Sequence, residues 1–168
     1  MIKLSFRHLG FTLVEMLIYM GLLTIFLAVI GTIFFSIIDL QLESQATSSV
    51  SESGRYLLSR ISYDVHRAQS ITTPASPGLS SPSLVLSIGG VTYTYAEVAG
   101  TPAFLQLTAG GLVDALTGSD AQISNFSATR VGNASGKNSL KVSFTLESVT
   151  TSLSQKHETK DYSTTITL

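Results

Sequence analysis

One long apolar stretch near the N-terminus constrains the fold more than any other feature of this sequence. From Phe11 to Ile38 the chain has 28 residues, and Glu15 is the only charged one. As a helix rising about 1.5 Å per residue, the stretch would extend roughly 42 Å. The hydrocarbon core of a bilayer is about 30 Å thick. The sequence therefore predicts a membrane-spanning helix over residues 11–38.

The residues on either side of this stretch bear on its fate and orientation. Lys3 and Arg7 precede it, as they would precede a cleaved secretory signal. The apolar region of such a signal is usually about 7–15 residues long and ends at a small-x-small cleavage site, and no such site follows Ile38. We therefore expect the helix to be retained, because it is too long for a signal. By the positive-inside tendency, the N-terminus is cytoplasmic, and the protein is a single-pass protein of the cytoplasmic (inner) membrane whose C-terminal part is periplasmic or extracellular.

The pattern beyond Ile38 is that of an amphipathic helix. Charged residues separate apolar ones that recur at mostly three- and four-residue steps, which is the spacing of one helix face. We expect one continuous helix from Phe11 to Gln69, with an amphipathic extension over 39–69 that lays one stripe on a globular head. The apolar positions of the stripe are Val50, Leu57, Leu58, Ile61, Val65 and Ala68.

The remainder of the chain is typical of β-structure. Residues 70–83 are rich in Ser and Pro and predict a linker loop, after which apolar residues alternate with polar ones over 84–168. The sequence predicts an antiparallel β head, a meander of six or seven strands with one wet face. The fold class is therefore α+β, a long N-terminal α-helix packed on an antiparallel β-sheet.

Local signals add detail to the predicted sheet. The pairs Gly89-Gly90 and Gly110-Gly111 each separate two apolar-alternating runs, which predicts two tight hairpins. Ile123 and Phe126 fall on opposite parities of one strand, which predicts a β-bulge between them.

Charge and composition exclude several classes of function. The chain carries 10 Lys and Arg against 11 Asp and Glu, so there is no basic excess for a phosphate backbone and no nucleic-acid partner is indicated. The absence of Cys excludes disulfides, thiolate zinc sites and Cys nucleophiles. His8, His66 and His157 are too scattered to suggest a metal site, and Asp114 and Asp120 alone supply too few oxygens for calcium. We expect no catalytic site, no metal and no cofactor.

The start of the apolar stretch carries the most specific signal. The string Gly10-Phe11-Thr12-Leu13-Val14-Glu15 follows a short basic segment and places Glu at the fifth position after a Gly. It resembles the type IV prepilin signal. The resemblance implies that a membrane-bound prepilin peptidase removes residues 1–10 as a leader, cutting between Gly10 and Phe11. It also implies a pilin-like fold, N-methylation of Phe11, and Glu15 as the carboxylate used in assembly.

The position of Glu15 allows two physical interpretations. A carboxylate near the N-terminal end of a helix is favoured by the helix dipole and can reach the membrane interface, so Glu15 could be a simple interfacial residue. Alternatively, Glu15 pairs with the Phe11 amine of a neighbouring subunit, because opposite charges attract strongly in a low dielectric. Cleavage would create that amine and remove Lys3 and Arg7.

Two further features bear on the subclass. Residues 53–68 are similar to the helix end of J-type minor pseudopilins and W-type minor pilins. Major pilins usually have a Pro in the membrane-spanning half of the helix and often a C-terminal disulfide loop, whereas the first Pro here is Pro74 and Cys is absent. The sequence thus favours a minor pilin or pseudopilin of a type IV pilus or a type II secretion system.

The implied partners are the prepilin peptidase, other pilin or pseudopilin subunits, the filament assembly platform and the cytoplasmic membrane. The alternative is a single-pass membrane-anchored β-rich binding module that does not enter a filament. Such a module would keep residues 1–10 and tolerate loss of Glu15. The kind of filament, and the use to which a cell puts it, stay open.

Overall fold

The protein is described from a computed structural model that covers residues 10–132, 139–150 and 157–167. Apart from Gly10, the predicted leader at 1–10 lies outside the described residues. The chain divides into two units, with the boundary between Asp39 and Leu40. One helix, α1 (Leu13–Arg67), runs through this boundary. Its ends lie within two residues of the predicted Phe11 and Gln69, which is the usual uncertainty of helix boundaries.

In the first unit, α1 presents apolar side chains in every direction. Large hydrophobic residues from Leu13 to Ile37 are exposed, and no part of the most apolar window is buried. Within the described residues, α1 is the one helix long and apolar enough to cross a membrane by length and composition. A helix that is apolar all round needs an apolar environment, which in this unit its own chain does not supply.

The second unit contains nine strands within the described residues, in two antiparallel sheets. Sheet A has the order β1-β3-β4-β5-β6, and sheet B has the order β2-β7-β8-β9. The strands are β1 (Ser70–Thr73), β2 (Ser80–Ser81), β3 (Ser83–Ile88), β4 (Val91–Val98), β5 (Phe104–Ala109), β6 (Leu112–Ala115), β7 (Ala121–Val131), β8 (Ser139–Ser148) and β9 (Thr159–Thr167). This confirms the α+β class with an antiparallel head.

The arrangement of the strands corrects two sequence predictions. The expected single meander of six or seven strands is wrong, because the described strands form two separate sheets. Residues 70–83, predicted to be a loop, contain β1 and β2. In β1 only Ile71 is apolar, and it is buried. Since β2 has just two residues, both Ser, neither strand has the alternation that marks a strand in sequence.

The predicted hairpins and bulge are confirmed. The turn glycines Gly89, Gly90, Gly110 and Gly111 all have positive φ, between 59° and 88°. A type I′ turn requires this conformation at both central positions, and Gly adopts it without strain. The register of β7 against β8 shifts between Ser124 and Ser127, so Ile123 and Phe126 both point into the core despite their opposite parities.

The apolar stripe of α1 forms one side of the core of the head, as predicted. Four of its side chains are fully buried, and they join residues of both sheets in one cluster. The helix members are Val50, Leu57, Ile61 and Val65, while Leu84, Leu86, Leu105, Phe144 and Leu146 are among the sheet members.

A close contact fixes β9 against α1. The hydroxyl of Tyr162 donates a hydrogen bond to the carbonyl oxygen of Val50 at 3.0 Å, and its ring stacks on that of Phe144 at 5.5 Å between centroids. Gly54 leaves room for the ring, since a Cβ there would lie 2.1 Å from Tyr162 Cζ. The close approach therefore requires glycine at position 54.

Candidate functional site

The predicted cleavage site lies just before the first turn of α1. Gly10 and Phe11 are exposed and have no regular secondary structure, and 69% of Phe11 is accessible. Helix α1 begins two residues later, at Leu13. Among the described residues, the backbone at Gly10 and Phe11 is thus exposed and lies outside the helix.

Thr12 determines where the helix begins, and sequence reasoning did not single it out. Its hydroxyl oxygen accepts a hydrogen bond from the backbone N–H of Glu15 at 3.3 Å, and its carbonyl accepts one from Met16 at 3.1 Å. Thr12 is therefore the N-cap residue, and Glu15 lies at the third helical position. The spacing Thr-x-x-Glu before an apolar run is the capping-box signature and could have revealed it.

Three side chains meet on one side of this first turn. The hydroxyl of Tyr19 donates to Glu15 Oε1 at 3.2 Å, and the ring of Tyr19 meets that of Phe11 edge-on, with centroids 6.0 Å apart. Sequence reasoning missed Tyr19, although its position four residues after Glu15 predicts contact on one helix face. Tyr19 thus contacts both Phe11 and Glu15, the two residues singled out on either side of Thr12.

Glu15 is a carboxylate without a cationic partner inside the described part of the chain. The ion pairs there involve other residues, and the hydrogen bonds at Glu15 come from Thr12 and Tyr19. In water, a carboxylate without a cationic partner is stabilised by hydration. Between apolar side chains in a low dielectric, however, such a carboxylate gains much from a nearby positive charge.

A second polar cluster lies inside the head, and nothing in the sequence analysis pointed to it. Asp64 on α1 is completely buried. Its Oδ2 accepts hydrogen bonds from the Tyr95 hydroxyl and, at 3.1 Å, from Arg60 Nε. Burial and the hydrogen bond to Asp64 raise the pKa of Tyr95 far above its usual value. Burial lowers the pKa of Arg60 while the Asp64 carboxylate raises it, with a net upward shift. The cluster joins α1 to β4.

The residues considered for metal binding do not come together. His66 is exposed on α1, and His157 Nδ1 lies 2.9 Å from the carbonyl oxygen of Ser148. Asp114 and Asp120 are exposed, and His8 lies outside the described residues. Across residues 10–132, 139–150 and 157–167, no three His, Cys, Asp or Glu side chains are placed to hold a metal ion.

The fold and the helix start define a class of protein with an apolar N-terminal helix, a prepilin-like first turn and an α+β head. Residues 6–31 match the family model described as the prokaryotic N-terminal methylation motif. The match includes Gly10, Phe11 and Glu15, and together with the architecture it supports a type IV pilin-like protein processed by a prepilin peptidase. No match was found among curated proteins or solved structures.

Proposed function

We propose that the chain is a minor pilin or pseudopilin, a structural subunit of a type IV pilus or a type II secretion pseudopilus. The observation that carries the proposal is the methylation motif over residues 6–31. Its partners would be the prepilin peptidase, other subunits of the filament and the assembly platform in the cytoplasmic membrane. Before assembly the protein spans that membrane once, with its N-terminus cytoplasmic and its head on the far side.

The first step is removal of the leader. The peptidase cuts between Gly10 and Phe11 and methylates the new amine of Phe11. The exposure of both residues and the start of α1 at Leu13 support this step, because a protease needs backbone that is not held in a helix. The cut also removes Lys3 and Arg7, whose charges would oppose movement of the helix end into an apolar environment.

The second step is pairing of charges between subunits. Glu15 forms an ion pair with the positively charged Phe11 amine of a neighbouring subunit, and this pair sets the axial register of one helix against the next. Glu15 has no cationic partner within its own described chain, and Tyr19 orients one of its oxygens. A paired charge is far more stable between packed helices than an unpaired one.

The third step exchanges one apolar environment for another. The exposed apolar surface of α1 in the first unit contacts lipid before assembly and neighbouring helices afterwards. The minor role is supported by the absence of Pro before residue 74 and of Cys from the chain, and by the similarity of residues 53–68 to J-type pseudopilins and W-type minor pilins.

The test is the intact mass of the full-length protein after expression with an active prepilin peptidase. We expect a mass that lacks residues 1–10 and gains one methyl group. Gly10→Leu should block processing, whereas Gly21→Leu is the matched control. Among the described residues, no atom beyond the adjacent backbone lies within 4 Å of a Cβ built at either position, so neither substitution creates a clash there within the chain.

Incorporation into filaments is the second measurement, because cleavage alone does not establish assembly. The processed protein should appear in the sheared filament fraction of cells that contain the matching assembly platform. An uncut mass, with the peptidase active on another substrate, would contradict the proposal and favour the membrane-anchored binding module.

A further inference from the structure

The two sheets of the head have four edge strands among the described residues, and two of these, β6 and β9, are longer than β2 and lack the register shift of β1. β2 has only two residues, and the pairing of β1 contains a register shift. Short and irregular edges discourage pairing with another chain. No described strand pairs with the outer edges of β6 and β9. In β6 all four residues are exposed, including Leu112 at 79% and Val113 at 64%.

The hydrogen-bond pattern of the β5–β6 hairpin shows which groups of β6 are free. The N–H of Leu116 donates to the carbonyl of Leu105 at 2.8 Å. Because antiparallel pairs alternate between bonded and non-bonded residues, Asp114 also points its backbone groups toward β5. Val113 and Ala115 therefore point their N–H and C=O groups outward.

The same reasoning applies to β9. The N–H of Ser148 donates to the carbonyl of Glu158 at 2.8 Å, and Leu146 is opposite Lys160 in the register. Lys160 consequently points its backbone groups toward β8, while Thr159 and Asp161 point theirs outward. All three residues are exposed.

We propose that β6 of one copy of this chain pairs antiparallel with β9 of a second copy, with Asp114 opposite Lys160. In this register Val113 faces Asp161 and Ala115 faces Thr159, so every outward backbone group of β6 meets an outward group of β9. The oppositely charged side chains occupy a non-hydrogen-bonded pair, where opposite residues come closest.

Charge and packing both favour this register. Leu112 falls opposite Tyr162, so a highly exposed apolar side chain reaches a half-buried aromatic ring. Pairing of β6 with a second β6 through all its outward groups would place two Asp114 carboxylates opposite each other, which is unfavourable. The charges thus select the cross pair over the β6–β6 pair.

The contact joins different surfaces of the two copies. Such heterologous contacts repeat from one subunit to the next and, where the rotation does not close, produce open filaments. A four-residue strand covers far less than the roughly 1,200 Å² of a stable interface. The pairing therefore depends on the high local concentration of a membrane or filament.

Disulfide cross-linking in membranes tests the proposal on the full-length protein. The chain has no Cys, so each introduced thiol is unique. Asp114→Cys and Lys160→Cys chains with different tags are co-expressed and oxidised. Opposite Cα atoms in a non-bonded pair lie about 4.5 Å apart, within the range that a disulfide spans. We expect a cross-linked dimer that carries both tags.

The matched control replaces Lys160→Cys with Thr165→Cys, which lies on the same exposed edge five residues away. No dimer with both tags should form. An Asp114→Cys chain that cross-links to itself, an equal yield with Thr165→Cys, or no cross-linked product would each overturn the proposal.

A charge exchange supplies the second test. Ala115→Cys and Thr159→Cys serve as reporters, and the charges at 114 and 160 are varied. Asp114→Lys or Lys160→Asp alone should lower the cross-link yield up to about fivefold, and both together should restore it. Cross-link yields that do not change with the charges at positions 114 and 160 would overturn the proposed register. None of these variants touches residues 10–15, so peptidase cleavage tests the proposed function separately.

Discussion

Two carboxylates on the same helix have opposite surroundings. Near its beginning, Glu15 is partly exposed and lacks a cationic partner within the described chain. Near its end, Asp64 is fully buried and is held by Arg60 and Tyr95. Asp64 Oδ2 is paired within the head, while Asp64 Oδ1 has no hydrogen-bond partner among the described residues. Removing Asp64 would therefore break interactions inside the head, whereas Glu15, which has no cation beside it in the described chain, is available to a partner. We therefore expect substitution of Glu15 to impair assembly and substitution of Asp64 to destabilise the head.

The largest expected effect is on assembly. Glu15→Ala should leave cleavage and the stability of the head unchanged but remove the partner of a neighbouring subunit's amine. Leaving a buried charge unpaired costs about 3–5 kcal/mol, so incorporation should fall more than about 100-fold. The measurement is the amount of protein in the sheared filament fraction.

Glu43→Ala is the matched control for this experiment, because Glu43 is an exposed carboxylate on the same helix. It should assemble as the unmodified protein does. Normal assembly of Glu15→Ala would mean that Glu15 is a simple interfacial residue with no role in binding a neighbouring subunit.

The next effect is on the stability of the head. Asp64→Ala should lower the free energy of unfolding by about 3 kcal/mol, because it leaves the buried Tyr95 hydroxyl without an acceptor and removes the ion pair with Arg60. Arg60 is 38% exposed, so solvent screening keeps the share of the ion pair small. The measurement is denaturant unfolding of the full chain in detergent, with circular dichroism as the signal that reports unfolding.

Here Glu52→Ala is the control, since Glu52 is exposed on the same part of α1. It should change the free energy of unfolding by less than about 0.5 kcal/mol. Equal effects of the two substitutions would show that the buried cluster does not stabilise the head.

Gly54→Ala should have a somewhat smaller effect of the same kind. The added methyl group would meet the Tyr162 ring, and overpacking of a core typically costs about 1–3 kcal/mol. Gly54→Ala should cost less when it is introduced into Tyr162→Leu, in which the ring is absent, than when it is introduced into the unmodified chain. A single substitution without effect in the same unfolding measurement would contradict the close contact of β9 with α1.

The sequence predicted the parts of this fold that follow from local patterns. The periodicity of α1, the two Gly-Gly turns and the bulge between Ile123 and Phe126 each involve residues close together in the chain. Division into two sheets was not predictable in this way, because β2 pairs with Thr129 and Ala128, almost fifty residues further on, and carries no apolar residue of its own.

The same limit applies to the two carboxylates. Glu15 stood out because a charge in an apolar run is visible in the sequence, and its role in assembly stays a prediction. Asp64 did not stand out, because its partner Tyr95 lies 31 residues further on and alternates with other residues of an ordinary strand. Burial of a charge depends on long-range packing, which the spacing of residues along a helix does not reveal.

The smallest predicted effect is a loss of stability at high pH. The pKa of Tyr95 is raised in the folded head by burial and by its hydrogen bond to Asp64, from an ordinary value of 10.0. Above pH 10 the unfolded chain loses this proton while the folded head keeps it, so stability present in full below pH 10 declines as the pH rises. The decline should be roughly 1 kcal/mol between pH 10 and 11.

Tyr95→Phe isolates this contribution, because it cannot titrate. At pH 8 the variant should be less stable than the unmodified chain, because the substitution removes the hydrogen bond to Asp64. Above pH 10 the difference between their free energies of unfolding should narrow steadily. If the free energies of unfolding of the two proteins ran parallel from pH 8 to 11, the hydrogen bond from Tyr95 to Asp64 would not be the source of the decline. Arg60 would then be the partner of Asp64 on which the contrast with Glu15 depends.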